Sequence, residues 1–414
     1  MAGKAGTYRL SHRFRLGPGG GLAAARAAPP APPADPVMTQ ASPADAVMTA
    51  AAAHYAAGRL DAAAEACEAL LARRPDHFDA RHLLGVARHA TGRLDEARAH
   101  LLRASELAPE NARARYHLGN ACLALERFAE AEAAFRCALA RDPDLLEARN
   151  NLGNALRRQG REMAALDCYR AVLARRPDFA PALYNMGLAL AALGEFDAAI
   201  DCYRTVLARP PGPGEAARYA DVQEALSTAL VETGRHELAV EACRRWRGLA
   251  PDAWRAEWNE ALSLLALGRY AGGWPLYERR WELPEARAAR GGDGPPPVPT
   301  LAGLEGKRVL VRWEQGRGDV IQFARYLPLL ARHAASVTVR VYPELQALLG
   351  RMPGVAAAID DSAPEPAHDV AVALISLPLV FGTTVETVPA QVPYLAAAPG
   401  AAARWRARLA AAAA

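Results

Sequence analysis

The residues of this 414-residue sequence best suited to chemistry lie in two places. The first is Glu314-Gln315-Gly316-Arg317-Gly318-Asp319, between the strand-forming run Arg308-Val309-Leu310-Val311-Arg312-Trp313 and a helix-forming stretch. Glycines at such a junction let a backbone approach a ligand, and the positive end of the helix favours an anion. A dinucleotide fingerprint is excluded, because Ile321 stands where the third glycine belongs. The plain alternative is a tight turn with Asp319 as the helix N-cap. The second place is a set of asparagines. Asn151, Asn185 and Asn259 share one position of a repeat, and Asn120 and Asn154 share another three residues further along, on the same helix face. An amide both donates and accepts, so such a set can pair with the backbone of an extended peptide without reading its side chains. The plain alternative is a set of ordinary polar residues on a solvated face.

The elements that position the asparagines are dictated by a period. Pro75, Pro109, Pro143, Pro177 and Pro211 recur every 34 residues, as do Gly85, Gly119, Gly153 and Gly187. That step is the period of tetratricopeptide helical hairpins. Gly58, Gly92, Gly160, Gly194, Gly234 and Gly268 mark the turn inside a hairpin. Ala63, Ala97, Ala131, Ala165 and Ala199 fill a small position of the second helix, and Leu101, Phe135, Tyr169 and Tyr203 a large one four residues later. One hairpin cannot cover its own apolar face, so neighbours must stack into a superhelical solenoid. About seven repeats are expected over 42–283, the last two irregular, with first helices on the concave side. The aromatic seventh (Trp254, Trp258, Tyr270, Trp274, Tyr277, Trp281) is expected to cap the array and join it to the sheet domain.

Residues 1–41 lack periodicity and are expected to be a disordered Ala/Pro/Gly-rich tail. Residues 284–306 read as a linker. Over 307–414, strands alternate with helices (strands near 308–313, 336–342, 355–359 and 369–374, a helix over 319–333), which implies a partial α/β, Rossmann-like domain with a parallel sheet.

Composition narrows the function classes. Hydrophobic residues make up 51% and charged residues 23%, as in soluble globular chains. The net charge of +4 comes from 49 basic and 45 acidic residues, which calls for no nucleic-acid partner. No run is apolar enough to span a membrane, and Gly17-Pro18-Gly19 interrupts any signal-peptide core, so a cytoplasmic location is expected. The six cysteines are scattered without a CxxC pair, and neither they nor His54, His117 and His236 are given a metal or other site role.

Two segments resemble a bacterial family that joins tetratricopeptide repeats to a glycosyltransferase-like domain. They are Gly273-Trp274-Pro275-Leu276-Tyr277-Glu278-Arg279-Arg280-Trp281 and the Glu314–Asp319 block with its helix through Arg325-Tyr326-Leu327-Pro328. Ser376-Leu377-Pro378, Phe381-Gly382-Thr383-Thr384 and Pro393-Tyr394-Leu395 look like further landmarks. Related heptosyltransferases carry Gly-Asp at this turn. The resemblance implies Asp319 as general base, with Glu314, Gln315, Gly316 and Gly318 in the acceptor loop. Arg317 departs from the apolar residue expected there. Such enzymes hold a nucleotide sugar mainly in a second Rossmann-like half, and residues 307–414 amount to one half, so that half is expected to be missing. The asparagines are similar to the ladder of the protein O-linked N-acetylglucosamine transferase.

Three readings stand. One is a scaffold holding a protein or peptide in the concave groove, with no cofactor. Another is a glycosyltransferase using a nucleotide sugar and Asp319. The third is an assembly adaptor with no small-molecule site.

Overall fold

The structure, a computed structural model, describes residues 43–289 and 298–412, in two compact units covering 43–233 and 234–412. The expected tail over 1–41, and the Gly/Pro run at 290–297, lie outside the described residues.

The first unit is a series of helical hairpins: α1 (Pro43–Ala56) with α2 (Leu60–Arg73), α3 (Phe78–Ala90) with α4 (Leu94–Leu107), and α5 (Ala112–Ala124) with α6 (Phe128–Arg141). It continues with α7 (Leu146–Arg158) and α8 (Glu162–Arg175), α9 (Ala180–Ala192) and α10 (Phe196–Leu207), and ends at α11 (Ala216–Glu232). Helices α2, α4, α6 and α8 each stop two residues before Pro75, Pro109, Pro143 or Pro177, as a ring without an N–H requires. Two first helices begin with a side-chain cap: His77 Nδ1 accepts from the Ala80 N–H at 3.3 Å, and Asn111 Oδ1 from Ala114 at 2.9 Å.

Packing explains the repeat. Ala63, Ala97, Ala131, Ala165 and Ala199 are fully buried. Within each hairpin, the glycine of the first helix lies beneath the large residue of the second. A Cβ at Gly85 would meet Leu101 at 2.5 Å, at Gly119 Phe135 at 2.5 Å, at Gly153 Tyr169 at 2.5 Å, and at Gly187 Tyr203 at 2.4 Å. Hydrogen-bonded charges join neighbouring repeats: Glu132, itself buried, accepts from Gln159 and Arg161 at 2.9 Å each.

The second unit opens with α12 (His236–Leu249), α13 (Trp254–Ala266) and α14 (Tyr270–Tyr277), then a 3-10 turn over Glu278–Glu282 and α15 (Pro284–Ala289). The expected linker therefore starts as a short helix. After α16 (Leu301–Leu304) come β1 (Arg308–Arg312), α17 (Arg317–Phe323), α18 (Leu327–Leu330), β2 (Ser336–Arg340), α19 (Pro343–Leu349), β3 (Val355–Ile359), β4 (Val370–Ala373), α20 (Leu377–Val380) and α21 (Ala401–Ala412). The strands form one parallel sheet in the order β3-β2-β1-β4. A small parallel sheet is thus present. The helix expected over 319–333 is broken into α17, a 3-10 turn over Ala324–Tyr326, and α18, because Pro328 fits only a first helical turn. Trp258, Leu265 and Tyr277 of the last helical pair share one core with Val309, Val311, Phe323 and Val339 of the sheet region.

Hairpin turns with positive φ occur at Gly58, Gly92, Gly160 and Gly194, but the corresponding residue of the third hairpin is Glu126, at φ 59°. A side chain in this left-handed region costs about 1–2 kcal/mol. The ion pair of Glu126 with Arg158, at 2.6 Å, is solvent-exposed and offsets little of that. After allowing for the greater unfolded-state freedom of glycine, Glu126→Gly should stabilise the chain by about 0.5–1 kcal/mol in urea denaturation. A lowered midpoint would show that the turn is not strained.

Candidate functional site

In the first unit, the stripe of first-helix residues is continuous across repeats. Asn151 Nδ2 on α7 donates to Asn120 Oδ1 on α5 at 2.8 Å, and Asn150 Nδ2 donates to Asn151 Oδ1 at 3.0 Å. Asn185 Nδ2 on α9 donates to Asn150 Oδ1 at 3.1 Å. Four amides thus link three successive hairpins. Asn150, which position-by-position comparison of repeats passes over, is the joint between Asn151 and Asn185. Its only sequence signal is adjacency to Asn151. Asn150 and Asn185 are 5% and 9% exposed, whereas Asn120, Asn151 and Asn154 are half-buried. Asn154 Oδ1 accepts from the Tyr169 hydroxyl at 2.8 Å. Asn259 lies on α13, in the second unit, and is not part of this network.

Toward α3 the stripe changes chemistry. Phe78 stacks on His82 with ring centroids 5.6 Å apart, His82 lies 5.1 Å from His117, and His117 lies 5.0 Å from Tyr116. Burial lowers the imidazole pKa to about 4 at His82 and about 3 at His117, with Arg113 adding to the effect. Both rings are neutral at pH 7. The stripe therefore has an aromatic and imidazole half and an amide half.

The loop after β1 is held from the 3-10 turn that follows the last helical pair. Arg280, only 2% exposed, donates from Nε and Nη2 to the two carboxylate oxygens of Glu314 at 2.8 and 3.0 Å. Its Nη1 donates to Glu278 Oε1 at 2.6 Å and its Nη2 to Ser376 Oγ at 2.7 Å. The Ser376 hydroxyl donates to Glu278, and the Ile375 N–H to Glu314 Oε1 at 3.1 Å. Burial opposes the Arg280 charge, but Glu314 and Glu278 more than offset it and raise its pKa. Burial pushes the Glu314 carboxyl up, with Glu278 adding and Arg280 pulling back. The two resembling segments, Glu278-Arg279-Arg280-Trp281 and Glu314–Asp319, are therefore two halves of one constellation.

The rest of the loop is tied to the residues around it. Gln315 Nε2 donates to the Tyr277 hydroxyl at 3.3 Å, and its carbonyl accepts from Tyr342 Oη at 3.2 Å. Gly316 is the residue preceding α17, and Asp319 lies within the first turn of that helix, so the N-cap is Gly316 and not Asp319. A Cβ at Gly318 would meet nothing within 4 Å, so packing alone does not demand glycine there. Arg317 pairs with Glu344 at 2.9 Å and lies 4.6 Å from the Tyr342 ring, which accounts for a charged residue at that place. Among the described residues no group of three or more His, Cys, Asp or Glu is placed to hold a metal, and no helix is long and apolar enough to cross a membrane.

Comparison with known proteins places the repeats. Residues 54–117 match one family model described as tetratricopeptide repeat, and residues 90–145, 150–216 and 184–253 match a second. The helical array is of tetratricopeptide type. Protein FlbA of Caulobacter vibrioides is 35% identical over 107 residues, which is 24% of this chain and 17% of FlbA. The chain thus spans under a fifth of that relative's length. Among solved structures, the APC/C hetero-tetramer Cut9–Hcn1 aligns at 16% identity over 58% of this chain and 46% of that one (TM-score 0.49). Pseudomonas aeruginosa PilF aligns at 16% over 52% and 95% (0.44). YrrB, described as a tetratricopeptide protein with an unusual peptide-binding site, aligns at 22% over 49% and 98% (0.37).

The Arg280 constellation has a measurable signature. Arg280→Met leaves Glu314 buried without its counter-charge, which should cost about 3–5 kcal/mol. Burial and Glu278 would then both hold the Glu314 carboxyl above its ordinary value of 4.5. The folded state would bind a proton at pH values where the unfolded state does not, so acidification favours folding. The penalty should therefore shrink as pH falls from neutrality towards the ordinary glutamate range, read by urea denaturation of the full chain. A penalty independent of pH would contradict it.

Proposed function

We propose that the array is a scaffold holding an extended polypeptide along its first-helix face, in the groove of repeats two to five, with the sheet unit as an appendage. The amide network from Asn120 to Asn185 is the observation that supports this most directly. Each amide has two N–H donors and an oxygen with two lone pairs. The bonds between neighbours use one donor each of Asn150, Asn151 and Asn185, and one lone pair each of Asn120, Asn151 and Asn150. Tyr116 also bonds Asn120 and Tyr169 takes the Asn154 oxygen, and the capacity that remains on the half-buried Asn120, Asn151 and Asn154 can serve a guest backbone. Because the amides are already oriented, binding costs less ordering entropy. Asn150 and Asn185 act as backing.

The test selects displayed random peptides on the full chain and measures their affinities as synthetic peptides. Asn151→Ala with Asn185→Ala should weaken binding roughly tenfold or more, since one contacting amide is lost together with the backing amide that holds Asn150 in place. Peptides bound equally well by the double variant, at unchanged melting temperature, would remove the ladder from recognition.

A second reading has the chain transfer a sugar from a nucleotide sugar to a protein or glycan acceptor, with Asp319 as general base. Its support is the position of the loop. In the order β3-β2-β1-β4 the winding reverses at β1, with β2 and β3 to one side and β4 to the other, and ligands of open parallel sheets bind at such a switch point, beyond the strand C-termini. Against it, Arg280 already fills the space between Glu314, after β1, and Ser376, after β4. If this reading holds, nucleotide release from sugar nucleotides by the full chain should fall by about 10²-fold or more in Asp319→Asn. Turnover that survives the substitution would take Asp319 out of the reaction.

A further inference from the structure

The second unit holds another charged cluster, on α12 and α13. Glu260 on α13, only 3% exposed, accepts from Arg244 Nε at 2.9 Å and from Arg247 Nη1 at 3.1 Å, both on α12. Arg247 also lies 3.7 Å from Glu257, which accepts from Arg279 Nε. Three guanidiniums thus share two carboxylates, an excess of one positive charge. Arg244, Arg247, Gly248 and Pro251 line a cleft of about 320 Å³. Nothing in the packing calls for Gly248. It lies in the last turn of α12, is not left-handed, and a Cβ there would meet nothing within 4 Å. Glycine within a helix is destabilising relative to ordinary helix formers. What its missing side chain leaves open is the cleft.

A guanidinium is always charged and offers five N–H donors in a planar fork. Arg244 gives only Nε to Glu260, and Arg247 gives Nη1 to Glu260 with Nη2 near Glu257, so donors of both remain outside the ion-pair network. The buried carboxylate beneath them fixes where those donors point, which lowers the ordering cost of binding. We propose that this cleft binds a small phosphate monoester, its phosphoryl oxygens taking N–H groups of Arg244 and Arg247 and its organic part lying over Gly248. A phosphoryl dianion meets the excess charge and presents several acceptors to two forks. The cleft is at the lower end of the range for small-molecule sites, which leaves room for more than the phosphoryl group. The C-terminal end of α12 carries partial negative charge and opposes an anion there, by a few-fold at most when exposed. Each charge-assisted hydrogen bond favours one by about tenfold or more, so the arginines prevail.

The test is calorimetric titration of the full chain at low ionic strength with glycerol 3-phosphate, inorganic phosphate and glycerol. Glycerol 3-phosphate should bind saturably, inorganic phosphate several-fold more weakly, and glycerol not at all. Arg244→Gln and Arg247→Gln should each weaken the ester roughly tenfold or more, the loss of a charge-assisted contact. Gly248→Leu, which fills the cleft from a helical position where the added group meets no other, should weaken it by a similar factor with the urea midpoint unchanged or raised. A merely structural ion network would not respond to that substitution. Should Arg247→Gln melt early because Glu260 loses a partner, Arg244→Gln and Gly248→Leu carry the test. No saturable binding of glycerol 3-phosphate, binding undiminished in Arg244→Gln, or full binding by Gly248→Leu would overturn the proposal. Inorganic phosphate binding as tightly as glycerol 3-phosphate would overturn its assignment to an ester. None of these results bears on the amide face, which belongs to the first unit.

Discussion

The array depends on one steric arrangement: a glycine in the first helix of each hairpin admits the largest side chain of the second. At Gly85, Gly119, Gly153 and Gly187 the approach leaves no room for a methyl group. Leu101, Phe135, Tyr169 and Tyr203 then bury completely or nearly so without rotating the helices apart. Because interiors are packed at crystal-like density, this contact fixes the spacing of the two helices and so the surface each hairpin offers the next. The polar stripe on the first helices is a consequence. Its amides meet across repeats only because each hairpin repeats the same crossing. Tyr169 joins the two features directly, with its ring against Gly153 and its hydroxyl on Asn154.

In the second unit a buried ion pair takes over the organising role. The last helical pair does not merely end a series; its aromatic residues share a core with the sheet, and Arg280 reaches the strand ends. Removing a guanidinium and two carboxylates from water is costly, and only nearly complete hydrogen bonding makes it tolerable. Here the Glu314 oxygens take Arg280 and the Ile375 N–H, and Glu278 takes Arg280, Ser376 and Trp281. Such a cluster tolerates few alternative packings. It also pins the start of the loop whose far end carries Asp319, so the geometry of that loop is set in part by a residue of the 3-10 turn that follows the helical pair.

Features carried by backbone chemistry were legible in the sequence. Proline at the end of a second helix and glycine at a left-handed turn act locally, so their 34-residue step revealed the hairpins directly. The strands were legible to within two residues, because short apolar runs bounded by polar or turn residues alternate with helical stretches. Glu126 shows the converse: a turn required a glycine conformation where the sequence offered none, and the period carried it through. The break at Pro328 was available to the same local logic. The Asn150 bond and the Arg280–Glu314 pair were not. Each joins residues about one repeat apart through a tertiary offset that no helical period specifies. A polar residue next to a predicted site gives no hint of whether it backs that site or faces away.

The amide stripe shows how one set of side chains can be structural and still available to a guest. If every donor and acceptor of Asn120, Asn150, Asn151 and Asn185 were satisfied internally, the network would be a cross-brace and nothing more. Three bonds among four amides leave more than half of that capacity outside the network. A backbone laid along them would meet groups already held in place, which separates the energetics of orientation from those of binding. The neutral His82–His117 pair extends the same face without adding charge, so the stripe runs from uncharged imidazoles into uncharged amides.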